Sequence, residues 1–433
     1  MRKKKILAEA MLLFAAVSIM ACSVDKNNGE ITGNLLPNMS KDEMKLTYQI
    51  WDDGLISEVL YEEWTKKYPN ISINFQKVLK SENNEKLVNS KGTSDMPDVF
   101  WVSGLSDFVA EKEILNDMTT FWNADSDSSD IIGGINDYKL GYFGTDNKLL
   151  TVVQFDPATA WLDIGMMAEY STGMPDLDWT FEDMVFYIEN FSHEGSRWGV
   201  SNTDMVISWY PIASGKDCIG DFGWNGSEFQ LSAWAEGMRI VQEWKDNEYI
   251  APDVLGETGN YDDELAERNV LETGKVFIRF DNWSEWENYL GTDVMYRNNE
   301  FSQTVVWVPY MLPHLEKNAD STVYLADMIF GGISSECEYS REAYEILKYF
   351  CWGSEGWHQK IAKQDEIMAG GISPLGSCPV TLDETVWEEF ENMYPSVVNG
   401  DKEGMEYGFD RSEYFTYYFK KVKCSKWVCC EET

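Results

Sequence analysis

Eighteen tryptophans run through this 433-residue chain, and those beside carboxylates and turns are the residues best suited to chemistry. Trp51-Asp52-Asp53 ends the alternating segment KLTYQIW. Trp101 ends the short apolar run of PDVFWVSG, at the carboxyl end of a strand, where an open α/β sheet places its ligand crevice. Trp209-Tyr210-Pro211 follows SRWGVS and is expected in a loop, and Trp283 ends GKVFIRFDNW. An indole offers a broad apolar face at small entropic cost, and the flat C–H face of a sugar ring matches it. Acidic and amide side chains at the same strand ends pair with the hydroxyls, and a missing hydroxyl leaves a buried partner unsatisfied. The chemistry these residues suit is recognition of a saccharide. Trp64, Trp234 and Trp244 fall at helical spacing and read as packing residues.

Signatures of catalysis are sparse. The histidines are His193, His314 and His358, far apart and outside any H-E-x-x-H arrangement. No G-x-S-x-G elbow occurs, and Gly274-Lys275 lacks the upstream glycine spacing of a phosphate loop. Asp125-x-Asp127-x-Ser129 carries Asp130 where a calcium loop needs its turn glycine and Asn136 where it needs a bidentate glutamate, so it reads as a solvated acidic loop. No catalytic residue, metal or cofactor is assigned. Abundant carboxylates keep a glycosidase acid/base pair open as an alternative.

These residues need a frame, and hydrophobic periodicity supplies it. KLTYQIW, a helical stretch SEVLYEEWTKKYP, the alternating ISINFQKV, a second helical stretch and MPDVFW give a β-α-β-α-β order. That order argues for a parallel sheet covered by helices. After KLLTVVQFDP the pattern repeats in kind. TFEDMVFYIENF opens with the capping pair Thr180 and Asp183, SRWGVS is a strand, and LSAWAEGMRIVQEWKDNEYI is a long amphipathic helix. GKVFIRFDNW and TVVWVPYML follow as strands and REAYEILKYFCW as a helix.

The formal net charge is −39, a field that repels nucleic acid and anionic lipid. Four cations, Arg2 to Lys5, precede an apolar run from Ala10 to Ala21 that is too short to span a bilayer, the layout of a secretory signal. Ala21-Cys22 resembles the lipobox of bacterial lipoproteins, which implies a lipid on Cys22 and a position on the extracellular face of the cell membrane. Residues 23–43 are polar and aperiodic and read as a flexible tether. Seven further cysteines, irregularly spaced and ending in adjacent Cys429 and Cys430, do not form a disulfide framework.

Taken in order, the lipobox, the "IW" strand, PDVFWVSG, GMPDLDWTFEDM, GKVFIRFDNW, VVWVPY and GGISSECEYSREAYEILKYF resemble the extracellular solute-binding proteins of carbohydrate ABC transporters, the family that includes maltose-binding protein. The resemblance covers essentially all of the chain after Cys22. It departs at Ala160 to Ile164, where the family has a Tyr-Asn-Lys-like stretch, and at the ending CSKWVCCEET. It implies a two-lobe α/β fold of the type II periplasmic-binding-protein class with a hinge between discontinuous lobes. The N-terminal lobe is expected over 44–156 and 328–371, and the C-terminal lobe over 157–327 and 372–433, with crossings near Asp156, Asp327 and Gly371. Trp101 and Trp283 match family aromatics that stack on sugar from opposite lobes, and Asp156 matches a crossover acid. The implied function is a monomeric sugar receptor, for oligosaccharides above all, that delivers ligand to permease subunits by hinge closure. A surface glycoside hydrolase, or a same-fold receptor for a polyamine or peptide, are the alternatives.

Overall fold

A computed structural model describes residues 36–430 apart from 52–57, 103–112, 134, 136–149, 170–172, 194–195, 215–227, 230, 253–273, 291–304, 317–322, 365–376 and 395–410. Cys22, Asp52, Asp53 and Gly371 lie outside the described residues. The expected tether ends against the folded body. The Ser40 N–H donates to Glu342 Oε1 at 2.6 Å, and Arg341 Nε donates to the Pro37 carbonyl at 2.9 Å.

The first strands and helices follow the sequence pattern: β1 (Met44–Ile50), α1 (Glu58–Lys67), β2 (Ile71–Lys77), α2 (Lys80–Ser90) and β3 (Val99–Val102). β1 pairs in parallel with both β2 and β3, as the β-α-β rhythm requires. In α1, Leu60 and Trp64 turn inward, and the Trp64 indole N–H donates to the Ile71 carbonyl.

Two long strands then carry the architecture. β4 (Thr151–Asp163) and β8 (Val323–Ile333) run antiparallel, with Asp156 opposite Asp327. Residues Thr151–Pro157 of β4 pair with β8, whereas Ala158–Asp163 pair with β6 (Val276–Asn282) and β7 (Trp307–Met311). β8 in turn holds β3 through Phe330–Ile333. The strand order among the described residues is β2-β1-β3-β8-β4-β6-β5, with β5 being Trp198–Ser201, in parallel with β6. Along this path parallel pairing lies at the two ends, and off it one further parallel strand pairs with β8. The centre is antiparallel because β4 and β8, which hold the expected crossings near Asp156 and Asp327, each pass from one strand group to the other. Gly331 and Gly332 allow close packing at this crossing, since a Cβ on Gly331 would lie 2.7 Å from Val153 and one on Gly332 would lie 2.8 Å from Leu115 and Leu150.

Helices cover the second strand group. α3 (Phe181–Phe191) starts with the expected capping box, Thr180 and Asp183 bonding reciprocally, and buries Met184, Ile188 and Phe191. α4 (Asp204–Ser214) and α5 (Leu231–Asp246) pack beside it, and α6 (Ser412–Cys424) brings Phe415, Tyr418, Phe419 and Val422 inward. The unfamiliar ending has a structural place. β9 (Lys426–Cys430) pairs in parallel with Val323–Asp327 of β8, and buried Trp427 lies 5.0 Å from Phe155. Cys337, Cys351 and Cys378 are buried free thiols. No helix among the described residues is long and apolar enough to cross a membrane.

Candidate functional site

The antiparallel crossing of β4 and β8 forms the floor of a cleft of about 420 Å³. Gln154 and Asp156 of β4 and Asp327 and Ile329 of β8 line the floor, Trp51 and Lys80 come from the first strand group, and Asp281, Asn282, Ser284 and Glu285 from the end of β6. The cleft therefore sits where the sheet passes from one strand group to the other.

Trp51 is half-buried just past β1, and its orientation is set from below. The ring of Trp101 stands perpendicular to it at 5.2 Å. Trp101 itself is fully buried, its indole N–H donating to the Tyr48 hydroxyl at 2.6 Å. Asn83 donates to the Trp101 carbonyl at 2.8 Å and accepts from Gln49 at 3.0 Å. These hydrogen bonds fix the end of β3.

The opposite wall is built by the turn after β6. Trp283 opens a short 3₁₀ turn and points into the protein, stacked at 5.3 Å on Tyr418 and at 5.6 Å on Trp161, with its indole N–H donating to Tyr394. With the indole anchored, its neighbours Ser284 and Glu285 face the cleft. Asp281 accepts from Arg279 Nε at 3.2 Å and from the Tyr289 hydroxyl at 2.8 Å.

Asp156 joins the walls. Its Oδ1 accepts the Ser284 N–H at 2.9 Å, and it is only 3% exposed. Burial pushes its carboxyl well above the usual carboxylate range, and nearby Asp327 and Glu285 push it further.

Of the sequence candidates, the structure brings Trp51 and Asp156 together at this cleft. Trp101 and Trp283 do not face each other across it: both rings are fully covered by protein, in aromatic clusters that belong to different strand groups. The physical reason is that partners remote in sequence claim the rings: Tyr48 takes the Trp101 indole N–H, and Tyr394 takes that of Trp283 while Tyr418 stacks on it. Trp209 and Tyr210 are also displaced from expectation. They lie within α4 rather than in a loop, Trp209 is buried 6.0 Å from Phe181, Tyr210 lies 5.8 Å from Phe181, and neither lines the cleft.

Sequence reasoning missed Lys80, Gln154, Asp281, Ser284, Glu285 and Asp327 as lining residues. For Asp281, Ser284 and Glu285 the signal was adjacency to Trp283. Strand register supplies it for Gln154, two residues from Asp156.

The acidic Asp125–Ser129 segment is also reassigned. Asp125 is buried, and Lys348 Nζ lies 2.7 Å from Asp125 and 2.8 Å from Asp127, so a lysine ammonium neutralises the group. No cluster of metal-ligating side chains occurs among the described residues.

No family model matches the chain, and no curated protein matches it in sequence. Solved structures do. The sugar-binding protein MalE from Xanthomonas citri superposes with a TM-score of 0.60 at 13% identity, covering 89% of this chain and 87% of its own. An ABC substrate-binding protein from Listeria monocytogenes, in complex with cycloalternan, gives 0.55 at 14% identity, covering 90% and 89%. A periplasmic oligogalacturonide binding protein from Yersinia enterocolitica gives 0.56 at 12% identity, covering 89% and 88%. With the exchange of strand groups at β4 and β8, these likenesses show that the chain has the two-lobe α/β fold of the ABC-transporter solute-binding proteins.

Proposed function

We propose that the chain is a carbohydrate receptor of an ABC transporter. The observation that carries this reading is the cleft at the strand crossing, which sets an indole, Trp51, against hydrogen-bonding side chains from both strand groups. The named ligands of two structural neighbours, cycloalternan and oligogalacturonide, support it. A saccharide lies over Trp51, and Asp156, Gln154, Asp281 and Glu285 take its hydroxyls. The lobes, 44–156 with 328–371 and 157–327 with 372–433, then close about β4 and β8. Closure follows from the extra contacts the ligand makes in the closed form. Trp101 and Trp283 act as positioning residues beneath the two walls.

In the cell, a lipid on Cys22 holds the monomeric receptor at the extracellular face of the membrane, and permease subunits take the closed, loaded form. No step of this cycle is catalytic, and ATP is used by a separate subunit.

A thermal-shift screen of oligosaccharides followed by calorimetry tests the reading, because a ligand that binds only the native state raises its melting temperature. One-to-one binding with a smaller radius of gyration is expected. Turnover of a bound glycoside would place the chain among hydrolases instead, and absence of any saccharide binding would overturn the reading.

A further inference from the structure

The end of β6 and the turn after it form one wall of the cleft through Asp281, Asn282, Ser284 and Glu285. Three of these side chains are already engaged within the protein. Asp281 accepts from Arg279 Nε, the Tyr289 hydroxyl and the Asn282 N–H. Ser284 is bonded to Asp156 through both its N–H and its side chain, and Glu285 accepts from Asn288 Nδ2 at 2.8 Å.

Asn282 is the exception. It is half-buried, its Oδ1 is closed off from solvent, and no donor among the described residues reaches that oxygen. Its Nδ2 makes no hydrogen bond to any described residue. A carbonyl oxygen that has lost water and gained no donor is uncommon in a folded protein, and it costs free energy wherever it occurs. The backbone around it is fixed. Asn282 stands opposite Ala158 of β4, and the next side chain, Trp283, is anchored by Tyr394 and Tyr418. The amide itself is held by no such bond, so a turn about its side-chain torsions breaks none.

Resting on the receptor reading above, we propose that Asn282 sets the specificity of the cleft by turning its carboxamide onto two adjacent free hydroxyls of one sugar ring. A carboxamide is an acceptor and a donor side by side. One hydroxyl donates to Oδ1 and its neighbour accepts from Nδ2, which pairs both ends of the amide at once. The ionised carboxylates of the same wall, Asp281 and Glu285, only accept, so Asn282 brings a donor to it. A ring substituted at either position, by a glycosidic bond, a methyl or an acetamido group, forfeits one contact and leaves the amide unpaired. That kind of mismatch discriminates strongly.

The test is calorimetry on the purified full chain with α- and β-linked trisaccharides of glucose, mannose and galactose, then with the monodeoxy forms of the one bound most tightly. Two adjacent hydroxyls are expected whose removal weakens binding to the parent protein by about tenfold each. Asn282→Leu should bind the unmodified trisaccharide at least about tenfold more weakly. The same deoxy forms should then lose little further, as for groups in direct contact. Asn282→Ala removes the amide without adding bulk and should show the same loss. Because the amide has no hydrogen-bonding partner among the described residues, Asn282→Leu should melt no lower than the parent. This second readout separates a binding role from a structural one.

Unchanged affinity in both variants, the absence of such a hydroxyl pair, or loss of folding in both variants overturns the proposal. Saccharides bound alike by the parent and the variants would leave the receptor reading intact and remove only the role of Asn282. No saccharide bound by the parent would overturn both.

Discussion

The indole of Trp101 stands edge-on to that of Trp51, ring centres 5.2 Å apart and planes at 89°. One ring is sealed in the core and the other borders the cleft, so the buried ring serves as the mount for the half-buried one. Their substitutions should therefore separate. Trp51→Ala should weaken saccharide binding by about 1–3 kcal/mol, a bound borrowed from base–aromatic stacking, with little loss of stability. Trp101→Phe forfeits the hydrogen bond to Tyr48 and should cost about 1 kcal/mol of stability, with a smaller loss of affinity. Calorimetry and urea unfolding on both variants check the split, and equal effects on the two readouts would refute it.

Asp156 should make the protein less stable as pH rises. Its folded carboxyl titrates above the unfolded one because of burial, with Asp327 and Glu285 adding to the shift. The native state therefore keeps a proton the unfolded chain has lost, and stability falls as pH climbs from about 4 through the folded value. Asp156→Asn retains an acceptor for the Ser284 N–H and removes this dependence. Its melting temperature should exceed the parent's near pH 7 and converge with it near pH 4. A gap independent of pH would argue against the buried acid.

Lys348 gives the acidic segment its counter-charge. Its ammonium contacts Asp125, whose side chain is 2% exposed, and Asp127. Lys348→Met leaves Asp125 with the Tyr344 hydroxyl as its remaining side-chain donor and should cost about 3–5 kcal/mol. Adding Asp125→Asn should recover part of that loss. Denaturant midpoints of the two single variants and the double variant measure the coupling, and strict additivity would exclude it.

Gly199 in β5 lies against the last turns of α3. A Cβ there would sit 2.3 Å from the Ile188 carbonyl oxygen, which is backbone and has little room to yield. Gly199→Ala should therefore destabilise by about 1–3 kcal/mol, the usual cost of overpacking. An unchanged melting temperature would mean that α3 shifts freely on the sheet.

Periodicity made most elements legible: alternation marked β1 and β2, and the capping pair with its apolar face marked α3. Pro211 misdirected the reading of α4, since proline ordinarily breaks a helix. Buried Val206, Trp209 and Ile212, at helical spacing, carried the stronger signal. At the site, an aromatic ending a strand could be located from sequence, but the direction of its ring could not. That direction depends on partners far along the chain, and Trp283 is claimed by Tyr394 and Tyr418. Asp156 was legible through the family resemblance, which matches it to a crossover acid. Its partner Asp327 was legible as a crossing and not as a wall.

β9 has a consequence for the order of assembly. β8 receives β3 at one end, β4 along its middle and β9 beside Val323–Asp327, the last of these being the final described strand to emerge during synthesis. The crossing therefore stays incomplete, with part of β8 unpaired, until nearly all of the chain is available. Pairings so distant in sequence form slowly, and an unpaired strand edge invites association with other chains while it waits. The segment that pairs with this part of β8 docks beside Asp327, at the floor of the cleft.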